Sequence, residues 1–244
     1  MRKTVVLWCL ALALVGLSTS GVASTITVTS YSMNNGDGQA SGGKYNYWDT
    51  IYNGSGNHNQ DNAPLSGGTG LLTDGVAATC DWSVSQACAD EWVGWKINPS
   101  AATPPYSTSY GPPSVTFNFA SNVNVNSITF NFADDGTYGG VALPTLVTVA
   151  MGGNLVDYTP SCYFCTEVPN GGHDFTLSGL NLTGNDASVT FYETWNGVYG
   201  SSGGNDWVML SQVTFNSSTP EPGSMLLMAT FLLGLGPVIR KKLS

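Results

Sequence analysis

Apolar and polar residues alternate in short runs through the middle of the chain. TITVT (25–29) alternates around Ile26 and Val28, and EWVGWKI (91–97) puts Val93, Trp95 and Ile97 on one face. SVTFNF (114–119) turns Val115, Phe117 and Phe119 inward and Thr116 and Asn118 outward. A period of two is the pleat of a strand with one wet face. VNVNSITFNF (123–132) starts on Val123 and Val125, then changes phase to Ile128, Phe130 and Phe132. That shift predicts a turn or bulge near Asn126-Ser127, because an unbroken register would expose half of the apolar set. TLVTVAM (145–151) passes through a Gly152-Gly153-Asn154 turn into LVDY (155–158), and DFTL (174–177), SVTFY (188–192) and WVMLSQVTF (207–215) complete the series. No long amphipathic helix pattern appears. About eight strands of this kind predict an all-β domain, a β-sandwich of jelly-roll type.

The two ends read differently. Residues 1–23 pair Arg2 and Lys3 with an apolar run from Val5 to Leu17 and then small residues, the pattern of a signal peptide. Cys9 falls inside that run. Near the other end, Met225 to Ile239 is apolar and followed by Arg240, Lys241 and Lys242. As a helix this stretch covers roughly 22 Å, short of a hydrocarbon core of about 30 Å. A marginal span of this kind suits a temporary anchor, with the basic end held in the cytoplasm and the body outside. Pro220-Glu221-Pro222, the apolar stretch and the basic end together resemble the PEP-CTERM sorting signal of Gram-negative bacteria. The resemblance covers about residues 217–244. It implies processing near the Pro-Glu-Pro by an exosortase-type membrane protease, signal peptidase at the other end, and transient anchoring in the inner membrane. The mature protein is then expected on the outer surface or in the exopolysaccharide matrix of a biofilm. An ordinary C-terminal membrane anchor is the alternative.

Charge sharpens the division. Five of the seven basic residues lie in the two end segments, and only Lys44 and Lys96 remain between them with all sixteen acidic residues. Residues 24–221 therefore carry −14, a field that repels phosphate backbones and anionic lipid and so excludes nucleic acid as a partner. Four cysteines lie in the body: Cys80, Cys88, Cys162 and Cys165. In an exported chain an even number suggests disulfides, and proximity favours Cys80–Cys88 with Cys162–Cys165 among the three connectivities. A redox or metal role for CYFC (162–165) is the rival, but the flanking Pro and Gly argue for a loop.

A second similarity rests on the order of GLLTDG (70–75), WVGW (92–95), SVTFNFA (114–120), VNSITFNFADD (125–135) and WVMLSQVTF (207–215). This order resembles the galactose-binding-like jelly roll of discoidin domains and many carbohydrate-binding modules, over most of residues 24–216. The resemblance implies a structural calcium at the Thr-Asp-Gly turn, with Asp74 as main ligand, Asp49 as second, and a last-strand position that is Gln212 here. A Gln offers one neutral carbonyl where the family has a carboxylate. The bland reading of Asp74 is a turn-forming residue.

Binding a sugar requires an aromatic face for its C–H groups and planar polar side chains for its hydroxyls. Trp95 and Trp207 fall on apolar strand faces and read as core. Trp48 and Trp195, with Asn196, Tyr199 and Asn205, sit in Gly- and Asn-rich stretches that read as loops, and form the candidate ligand set. The body has no Arg. His58 lacks a recognisable metal or triad partner, His173 sits in an NGGHD turn, and no G-x-S-x-G, H-E-x-x-H or phosphate-binding glycine loop occurs. The expected function is therefore a non-catalytic, glycan-binding module acting on extracellular polysaccharide. A structural or protein-interaction component of the matrix is the alternative; a carbohydrate-active enzyme and an ice-binding protein rank below it.

Overall fold

Among the described residues the alternation resolves into eleven strands. In a computed structural model, residues 23–39, 44–97, 112–133, 141, 143–160, 172–192 and 206–218 are described. Nearly all lie in one compact unit, Thr25–Ser217. The strands are β1 (Thr25–Ile26), β2 (Val28–Asn34), β3 (Gly38–Gln39), β4 (Tyr45–Asn46), β5 (Pro64–Gly68), β6 (Val93–Ile97), β7 (Ser114–Phe132), β8 (Leu146–Met151), β9 (Asn154–Tyr158), β10 (His173–Tyr192) and β11 (Asp206–Asn216). A 3-10 turn covers Leu71–Thr73, and a single helical turn, α1, covers Gln86–Ala89.

Nine of these strands form one continuous sheet that folds back on itself. The first halves of β7 and the second half of β10 belong to a layer ordered β5-β2-β7-β10-β8-β9. Their other halves lie in a second layer with β11, whose far edge carries β6 and β1 one after the other along its length. The layers face each other through aromatic rings: Phe117 and Phe119 of the first lie 5.1 and 5.2 Å from Phe215 of the second, and Phe191 lies 5.9 Å from Phe130. The result is a two-layer sandwich with one apolar core.

The phase change in β7 lies where it was expected, but the strand does not break. Val125 and Ile128 are both buried within continuous β7. The irregularity falls opposite, in β10, where the register jumps between Ser178 and Leu182. Gly179 and Asn181 there adopt φ of 72° and 49°, the left-handed conformation of a bulge. DFTL and SVTFY are accordingly two ends of one strand. Its middle, SGLNLTGNDA, lacks strict alternation because it turns the corner between layers.

A smaller apolar cluster sits outside the sandwich. Trp207 and Met209, on the outer side of β11, pack with Tyr47, Trp82 and Trp92, and Tyr47 meets the rings of Trp82 and Trp207 at 6.0 and 5.6 Å. This explains why WVML is apolar without interruption: both faces of β11 are covered there. The Cys80–Cys88 disulfide forms within the covering loop. Cys162 and Cys165 lie outside the described residues. No helix among the described residues is long and apolar enough to cross a membrane, and Pro220, Glu221 and Pro222 lie outside them.

Candidate functional site

One edge of β6 pairs with β11, and the loop after β2 covers the other. Asp37 N–H donates to Gly94 O (2.7 Å), Gly94 N–H to Tyr47 O (3.1 Å), and Lys96 N–H to Asp37 Oδ2 (2.7 Å). This close approach requires glycine at position 36, where a Cβ would stand 1.9 Å from Tyr47 O. Asn35, fully buried, braces the same loop: its Oδ1 accepts from Gly36 and Asp49 N–H, both at 2.9 Å. An unpaired strand edge is thereby satisfied by side-chain and loop groups.

A cleft of about 420 Å³ opens beside this junction. Asp37, Asn62, Lys96, Trp95, Ser32, Ser114 and Thr116 are among the residues that line it. Asn62 Nδ2 donates to Asp37 Oδ1. Burial pushes the Asp37 carboxyl from its ordinary 3.8 up to about 6; the Lys96 N–H opposes this, the Asp61 charge adds to it, and the Lys96 ammonium and Asn62 oppose it again. Asp61, next in the chain to Asn62, accepts at Oδ1 from Trp48 Nε1 and from Gly38 N–H, both at 2.7 Å. Trp48, half-buried, is therefore pinned by its indole nitrogen to the residue preceding Asn62. Trp95 and Trp207 are buried as expected, although Trp95 also forms a wall of the cleft. Trp195, Asn196, Tyr199 and Asn205 lie outside the described residues. Asp37, Asn62 and Lys96 carried no sequence motif; the loop pairing with β6 brings them together.

The predicted cation ligands divide. Asp49 is fully buried, and its carboxylate accepts from Tyr31 OH and from Leu71 N–H at 3.0 Å. Burial pushes its pKa up and these two donors oppose the rise; the Asp74 charge adds to it. Asp49 thus holds the start of the 3-10 turn, behind Gly70, where a Cβ would lie 2.4 Å from its carboxylate. Asp74 follows the same turn, exposed, its Oδ1 accepting from Val76 N–H at 2.8 Å across Gly75 at φ 86°. The turn packs on β11, where Ser211 Oγ accepts from Ala78 N–H at 3.2 Å. Two buried oxygens, Thr73 Oγ1 and Gln212 Oε1, have no hydrogen-bond partner among the described residues. No three His, Cys, Asp or Glu side chains among the described residues gather as a metal cage.

A family model described as discoidin domain-containing receptor 1/2, DS-like domain, matches residues 27–157, more than half of the chain. The chain belongs to that family. The match takes in the cleft, the 3-10 turn, strands β2 to β8 and most of β9; β10 and β11 lie beyond it. No curated protein matches the chain significantly. Similar solved structures include CpGH89CBM32-4, produced by Clostridium perfringens, in complex with GlcNAc-alpha-1,4-galactose, at 11% identity and a TM-score of 0.39 over 82% of this chain and 99% of that one. Another is the family 32 CBM from C. perfringens NanJ in complex with galactose, at 16% identity and a TM-score of 0.29 over 52% and 76%. A third is SpGH29, at 14% identity and 0.31 over 62% of this chain, which spans only 24% of that structure.

Proposed function

We propose that this DS-like domain is a non-catalytic glycan-binding module, exported and sorted to the cell surface or matrix by its end segments. The observation that carries this is the chemistry of the cleft. Sugar hydroxyls both donate and accept, and the cleft offers a carboxylate acceptor in Asp37, an ammonium donor in Lys96, an amide in Asn62 and hydroxyls from three more side chains. Trp95 supplies an apolar wall, and Trp48 stands next to the rim through Asp61. Both oxygens of Asp37 already accept from fixed donors, which suits a rigid acceptor more than a proton shuttle. Trp195, Asn196, Tyr199 and Asn205 remain ligand candidates on sequence grounds.

Calcium belongs to the same proposal. Thr73 Oγ1, Gln212 Oε1 and the Asp74 carboxylate are oxygen donors of the type calcium takes, and the first two have no hydrogen-bond partner among the described residues. A bound cation would tie the 3-10 turn to β11. With one carboxylate among these donors, affinity belongs in the weak range of extracellular modules, about 0.1–1 mM.

The test is calorimetric titration of the full-length chain against neutral glucans and galactans, chitin oligosaccharides and alginate. Saturable binding to one class, weakened about tenfold by Asn62→Ala through loss of one or two hydrogen bonds, is the expected result. Folded protein that binds none of them refutes the glycan reading.

A further inference from the structure

The outward face of the first layer is unusual for a water-exposed sheet. Surfaces normally mix charges of both signs, yet its two central rows are hydroxyls: Ser32, Thr116 and Ser188 in one, Ser114, Thr190 and Thr148 in the next. Strand register sets each row side by side. Thr116 donates to Ser188 (3.3 Å) and Thr190 to Ser114 (3.1 Å), while Thr148 donates to Asp157 at 2.7 Å. A hydroxyl that donates sideways keeps lone pairs turned to solvent. The described residues of this face include no Lys or Arg, and its acids, Asp157 and Asp186, stand toward its margins. Tyr192, half-buried, follows Thr190 on the same side of β10. The face also runs into the cleft without a break, because Ser32, Ser114 and Thr116 belong to both.

We propose that the cleft and this face form one extended site that takes a neutral polysaccharide chain lying across the strands, rather than a single terminal sugar. The proposal rests on the glycan reading above. From β2 to β8 the hydroxyl rows cross three strand spacings, about 14 Å, room for several sugar units beyond the one seated against Asp37 and Asn62. A polyanion is repelled by a body at −14. A polycation finds carboxylates only toward the margins. A neutral polyol meets acceptors along its whole length, with the Tyr192 ring at one end.

The test uses the full-length chain with neutral β-linked galactan and glucan oligosaccharides, from disaccharide to octasaccharide. Affinity is expected to rise with length. Thr148→Arg, at the far strand, is expected to lower octasaccharide affinity about tenfold and to leave disaccharide affinity unchanged, while Thr190→Arg, whose hydroxyl meets Ser114 of the cleft, is expected to lower octasaccharide affinity more than disaccharide affinity, with melting temperatures confirming folded protein. Asn62→Ala is expected to lower both. Equal affinity for disaccharide and octasaccharide, or octasaccharide binding indifferent to both arginine variants, overturns the extended site while the cleft reading stands. Absence of binding at every length overturns both.

Discussion

Asp37→Asn should flatten the pH dependence of stability. In the fold the Asp37 carboxyl holds its proton up to about pH 6, against 3.8 for the ordinary group. Between those values the folded state binds more protons than the unfolded chain, so stability falls as pH rises. The contribution is fully present below the lower value and lost once pH passes the upper one. At about 1.36 kcal/mol per pH unit the loss amounts to about 3 kcal/mol. Asparagine has no such titration. Its carbonyl can still accept the Lys96 N–H, and the Asn62 amide can turn to face its NH2 group. Asp49 and Asp74, also raised by burial, titrate in the same direction in both proteins and cancel in the comparison. Urea unfolding of both at intervals from about pH 4 to pH 7 measures the effect: the wild type should lose stability relative to the variant by up to about 3 kcal/mol. Parallel curves would refute the reasoning, because they would mean that Asp37 titrates as an open carboxyl and the cleft floor is wet.

Phe215→Ala should cost about 3–5 kcal/mol, since this fully buried ring joins Phe117 and Phe119 across the two layers; a midpoint shift in urea at unchanged slope checks it. Gln212→Glu should strengthen calcium binding by placing a second carboxylate at the turn. The variant's melting temperature should rise with added calcium more than the wild type's and fall back with chelator.

Period-two alternation around Val115, Phe117, Phe119, Val147 and Val149 determined which residues face the core, because a strand has only two sides and one must be dry. The same local rule made the Gly152-Gly153 turn legible, with both residues at positive φ. It placed Trp95 inside; Trp207 lies on the outer side of β11 and is buried because Tyr47, Trp82 and Trp92 cover it. Composition determined the charge, and neighbouring cysteines the Cys80–Cys88 link. What local pattern could not contain was decided by the tertiary structure. β5, with the sequence PLSGG, is a strand only because β2 pairs with it; nothing in its own residues favours extension. β10 crosses between layers through a stretch whose alternation fails at the bulge, so it reads as two strands when it is one. Asp49 looks like a ligand in YWDT, yet the fold places Tyr31 and Leu71 against it. The cleft is the extreme case. Asp37, Asn62 and Lys96 are separated by tens of residues, each unremarkable in its own window. They meet because Gly36 lets one loop reach the open edge of β6, and a carboxylate must satisfy the Lys96 N–H that no strand is there to take.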